Sequence, residues 1–136
     1  MKNSQILKQE NLIKYGDSFR LGNHLLLCAD SRNKDMIAKL IGKHKIKAVI
    51  IDPPYGVQAV ENKRDFQKLL KDKIIENDHF QTDEEYSKFS RDWIEAIKQH
   101  LERKNSFYIF NSDKMIFALR EGILQAGLKF AQLLIW

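Results

Sequence analysis

The chain has 136 residues, 43% hydrophobic and 30% charged, with a net charge of +5. That length sets one domain at most, and the composition excludes a disordered chain. A single cysteine, Cys28, excludes an intrachain disulfide. The absence of a signal peptide or a long apolar span makes a cytoplasmic, non-membrane protein the expectation. The positive charge is compatible with a polyanionic partner and does not by itself prove one.

Residues 1–11 are polar and are expected to be frayed or loosely docked. Two short alternating runs, 12–15 and 18–21, flank Gly16-Asp17 and predict a small hairpin, with a second turn at Gly22-Asn23. Residues 24–28 predict a buried strand, with Cys28 as a small buried hydrophobe. Asp30 follows at the carboxyl end of that strand, and Ser31 can cap the next helix. Asp30 is either a turn residue or an acceptor for the adenosine part of a cofactor. Met36, Ile37, Leu40 and Ile41 share one helical face, and Gly42 closes the helix.

Val49-Ile50-Ile51 has no alternating polar residue, so it predicts a strand buried on both faces. Asp52-Pro53-Pro54-Tyr55-Gly56 follows it directly. Neither proline has an N–H for a ladder, so the strand ends in a stiff turn. In open α/β sheets the carboxyl ends of strands are where ligands bind. Residues 56–82 make a long connection rich in Lys and Asp, including Lys63 and Arg64. It is either a segment overhanging the turn, with basic residues for phosphates, or a solvated mixed-charge loop.

Thr82 with Glu85 reads as a capping box. The helix after it carries Tyr86, Phe89, Trp93, Ile97 and Leu101 on one core-facing stripe and is expected to run to about residue 104. Residues 107–110 predict a third buried strand. Asn111-Ser112-Asp113 is expected to cap a helix that Gly127 stops, and 128–136 a fourth strand. Strands alternating with helices predict a parallel, layered α/β sheet. His24, His44, His79 and His100 lack metal-ligand spacing with each other or with Cys28, so no metal is expected.

Asp52-Pro53-Pro54-Tyr55 after an apolar strand resembles the catalytic motif of the amino-methyltransferases that act on exocyclic amines of DNA bases. The residue types suit that chemistry. The amine is a poor nucleophile because its lone pair is delocalised into the ring. The Asp52 carboxylate and a proline carbonyl would hold its two hydrogens and turn the lone pair toward a methyl donor, which is positioning catalysis. Tyr55 offers a flat face for a base flipped out of the duplex. The bland alternative is a strand ending in a Pro-Pro turn with a half-buried Tyr.

From Tyr15 to Trp136 the chain is similar to the N-terminal half of a β-class DNA adenine methyltransferase, of the type associated with ParB-like nuclease domains. Residues 16–31, Asp52-Pro53-Pro54-Tyr55-Gly56-Val57, 75–78 and 134–136 carry the resemblance. It implies an α/β fold: a partial Rossmann-like methyltransferase sheet, mostly parallel, with flanking helices and a small N-terminal β-hairpin. It implies S-adenosylmethionine as cofactor, with Asp30, Ser31 and Asp52 near it. It implies DNA as partner, with Asp52, Pro53, Pro54 and Tyr55 holding the target base, and N6-adenine methylation as the reaction. N4-cytosine methylation and an inactive, nucleic-acid-binding remnant are the alternatives. The chain contains no Gly-x-Gly, whereas the family grips the methionine part of its cofactor with a glycine loop after the motif. The expectation is therefore a fragment, a truncated product or one part of a split enzyme. Such a chain is expected to be inactive alone and to need a second polypeptide or a C-terminal half.

Overall fold

The computed structural model describes residues 13–57 and 79–135. Among them are four strands and three helices: β1 (Ser18–Leu21), β2 (His24–Leu27), α1 (Lys34–Ile41), β3 (Ile46–Ile51), α2 (Asp83–Lys98), β4 (Leu101–Ile109) and α3 (Ile116–Gln125). They form two separate two-stranded sheets, β1–β2 antiparallel and β3–β4 parallel.

The hairpin forms one turn later than the sequence predicts. Gly22-Asn23 joins β1 to β2, with Phe19 opposite Leu26 and Arg20 opposite Leu25. The Gly16-Asp17 turn also forms, closed by the Asp17 N–H donating to the Lys14 carbonyl at 3.0 Å. It precedes the hairpin instead of making it. β2 therefore does not enter the parallel sheet. Leu25 and Leu26 are exposed, and so is Cys28, which corrects the expectation of a buried thiol.

α1 is capped by Asn33 and not by Ser31. The Asn33 side chain accepts from the N–H groups of Asp35 and Met36. Gly42 closes the helix as expected. The capping box at α2 forms as read: the Glu85 N–H donates to Thr82 Oγ, and the Thr82 N–H to a Glu85 carboxyl oxygen. α2 ends at Lys98, about two turns early. Leu101 pairs with Ile46 at the start of β4, and the Ile46 N–H donates to the His100 carbonyl at 2.9 Å. The apolar stripe thus continues from helix into strand, with a bulge taking up the extra residues before Ser106.

The core lies between the parallel pair and the helices. Tyr86, Trp93 and Ile94 of α2 and Leu119 of α3 are fully buried, with Val49 of β3 and Ile37 of α1 in the same cluster. Burial of an aromatic or aliphatic side chain of this size contributes about 1.5–3 kcal/mol. Among the described residues the sheet is covered on one face only. Ile50 is 74% exposed and Tyr108 56%, so β3 is not buried on both faces among the described residues. No regular element forms over residues 128–135, where a fourth strand is expected from sequence. Gly127 does stop α3, with the Leu128 N–H returning to the Ile123 carbonyl.

α2 and α3 cross closely because Gly122 faces Ser87 and Ser90. A Cβ at position 122 would stand 2.5 Å from the Ser87 carbonyl oxygen and 2.8 Å from the Ser90 Cβ. The contacts are backbone and a stiff Cβ, so the helices must separate to admit a methyl. Gly122→Ala is therefore expected to destabilise the chain by about 1–3 kcal/mol, the cost of overpacking. This exceeds the usual gain in helix propensity, about 1 kcal/mol. Urea unfolding followed by circular dichroism checks it, and an unchanged or higher midpoint would contradict the packing.

Candidate active site

The Asp52-Pro53-Pro54-Tyr55 turn leaves the carboxyl end of β3, at the end of the only parallel pair among the described residues. β4 ends beside it, since Ile51 pairs with Ile109 and the Phe110 N–H donates to the Ile51 carbonyl at 3.0 Å. Pro53 is buried and Asp52 exposed, with Tyr55 between them in exposure. The Tyr55 hydroxyl donates to Asp52 Oδ1 at 2.6 Å. Burial first, and then that bond to a carboxylate, pushes the Tyr55 phenol up to about 12.

Gly56 ends the turn at φ +66°, in the left-handed region. Its carbonyl accepts from the Gln81 N–H at 3.0 Å, and a Cβ on it would meet the Gln81 Cβ at 3.1 Å. Gln81 is buried and immediately precedes the cap of α2. No pattern in the sequence pointed to Gln81. On the β4 side, Asn111 takes the Tyr86 hydroxyl at 3.1 Å on its Oδ1 and gives its amide to the Met115 carbonyl. The expected cap of α3 at Asn111-Ser112-Asp113 is thus replaced. α3 starts at Ile116 without a side-chain cap, and Asn111 braces the loop before it.

Asp30 lies in the loop between β2 and α1, and its carboxylate is already engaged. Oδ1 accepts from the Arg32 N–H at 2.8 Å and Nε at 3.0 Å. Oδ2 accepts from Nη2 at 2.6 Å and Nε at 3.1 Å. The Arg32 side chain, ahead of the other contributions, holds Asp30 below its ordinary 3.8. Arg32 also lies 5.5 Å from the Phe89 ring centre, which ties the pair to α2. The Asp-x-Arg spacing that allows this contact is local in the sequence. Ser31 is half-buried beside this pair. Lys63 and Arg64 lie outside the described residues. Among the described residues, no group of three His, Cys, Asp or Glu gathers as a metal site, and no helix is long and apolar enough to cross a membrane.

A family model described as DNA methylase matches residues 46–136, more than half of the chain. The chain belongs to the DNA methylase family. The match begins at the first residue of β3 and so takes in the Asp-Pro-Pro-Tyr turn, the parallel pair, α2 and α3. It places the chain among the N6/N4 DNA methyltransferases, whose members generally take their methyl group from S-adenosylmethionine. No curated protein and no solved structure matches the chain. Of the residues that the resemblance implies near the methyl donor, Asp52 and Asp30 differ in their engagement. Among the described residues no donor reaches Oδ2 of Asp52, whereas both carboxylate oxygens of Asp30 accept from Arg32.

Two outcomes follow from this geometry. Gly56→Ala is expected to cost about 1–2 kcal/mol from the left-handed φ, with crowding against Gln81 added to it. Chemical unfolding measures this, and a wild-type midpoint would contradict it. For Asp30, the folded value lies below the unfolded one, so its stabilisation is present above the unfolded value and lost as pH falls through the folded one. Stability is therefore expected to decline below about pH 4, where an unperturbed carboxylate titrates. Asp30→Asn is expected to flatten part of that decline. Thermal melts of the two proteins between neutral and acid pH make the comparison.

Proposed function

We propose that this chain carries the base-holding half of a DNA adenine-N6 methyltransferase. The observation that carries the reading is the Asp52-Pro53-Pro54-Tyr55 turn at the carboxyl end of a parallel strand, inside the region matched as DNA methylase. A flipped adenine would stack on Tyr55 and give its two amine hydrogens to the Asp52 carboxylate and a proline carbonyl. The turn is stiff because both prolines fix their φ, so the two acceptors stay at a set spacing. The amine nitrogen would bond to the donor's methyl carbon as that carbon's bond to the sulfonium sulfur breaks, the sulfur leaving as a neutral thioether. The nitrogen would shed a proton afterwards, so no strong general base is required.

Asp at position 52 supports adenine over cytosine N4, where the resembling enzymes use Ser more often. Lys63 and Arg64 are proposed as phosphate contacts from the connection that starts beside the turn. S-adenosylmethionine is the proposed donor. Asp30 would contribute to holding it once Arg32 gives up one of its bonds. The glycine loop absent from these 136 residues would come from further residues or a second polypeptide.

In the full-length protein, Asp52→Ala is expected to abolish methyl transfer and to leave DNA binding largely intact, since it removes an acceptor and little surface. Mass spectrometry of nucleosides from treated DNA reads both the loss and the product. N4-methylcytosine in place of N6-methyladenine would overturn the choice of base. Methylation by the variant within twofold of wild type would overturn the role of Asp52.

A further inference from the structure

An Asp in a turn is ordinarily tied down by the backbone N–H two residues on. Here that residue is Pro54, and the one before it is Pro53. Neither has an N–H to give. The terminal torsion of an Asp side chain is broad and roughly two-fold, so an exposed carboxylate without a donor has no fixed orientation. The first residue after the prolines that can supply a side-chain donor is Tyr55. Its hydroxyl reaches Asp52 Oδ1 at 2.6 Å, and no other donor among the described residues reaches that carboxylate.

We propose that the Tyr55 hydroxyl is a positioning group. It holds Oδ1 of Asp52 and so presents Oδ2 to the amine of the target base, a role separate from stacking by the ring. The proposal rests on the reading of Asp52 as the acceptor for that amine. Tyr55 would then join two tasks in one side chain. The ring bears the base, and the oxygen at its far end sets the carboxylate that recognises it. Burial and the bond to Asp52 push the Tyr55 phenol up to about 12, so the donor is present across the neutral range.

The test needs no methyl donor. Two single-stranded oligodeoxynucleotides are compared that differ at one central base, adenine or purine, the latter lacking the exocyclic amine. Binding to the full chain is followed by fluorescence anisotropy. Wild type is expected to favour the adenine strand by about tenfold, the order of one hydrogen bond to a charged group. Tyr55→Phe keeps the ring and is expected to bind the purine strand as wild type does, while losing most of the preference for adenine. Asp52→Ala is expected to lose at least as much of the preference, keeping only what the proline carbonyl gives. If Tyr55→Phe keeps the full preference while Asp52→Ala loses it, the positioning role is wrong and the reading of Asp52 stands. If wild type shows no preference, both fail. Equal loss of binding to both strands in Tyr55→Phe would also overturn the proposal, since the hydroxyl would then serve the fold and not the carboxylate.

Discussion

The Asp-Pro-Pro-Tyr turn is clamped from outside, and the arrangement around it depends on two backbone hydrogen bonds. The Phe110 N–H reaches the Ile51 carbonyl just before the turn, and the Gln81 N–H reaches the Gly56 carbonyl just after it. The prolines between have no N–H to donate. β4 and the lead-in to α2 therefore supply what the turn lacks. They are themselves joined, since Tyr86, five residues after Gln81, bonds Asn111 just after β4. Trp93 and Phe107 pack at a ring distance of 6.5 Å along the same seam. A change in how α2 seats on β4 would thus be felt at both ends of the turn.

The two carboxylates of interest are held in different ways. Asp30 meets a guanidinium on both oxygens, a charge-assisted and bidentate arrangement. Both side chains of that pair are about a third exposed, so its contribution to stability is about 0–1 kcal/mol. Its effect is on placement: it fixes the loop before α1 and carries Arg32 onto Phe89. Asp52 meets one neutral phenol on one oxygen, and no donor among the described residues reaches the other. An acceptor left partly open at the end of a strand is what a ligand with donors can use.

What was legible in the sequence was local. The capping box at Thr82 and Glu85 and the stop at Gly127 need only neighbours in the chain, and both formed. The apolar run at Val49-Ile50-Ile51 did make a strand, but its sidedness was hidden. Three consecutive apolar residues look alike whether one face is covered or two, and Ile50 points away from the helices. The end of α2 was misplaced because Leu101 fits a helical stripe and a strand equally well. Pairing with Ile46 decided it. Alternation likewise suggested a strand over 128–136, where residues 128–135 take no regular form. At the site, the motif was readable as four adjacent letters, whereas Gln81 lies 25 positions from Gly56 and only the folded chain joins them.

The exposed Cys28 has a consequence for how the chain behaves in air. One accessible thiol gives these 136 residues a covalent valence of one. Oxidation between copies can join two chains and then stops, since the pair has no thiol left to extend it. Larger species on a non-reducing gel would have to be held by something other than sulfur.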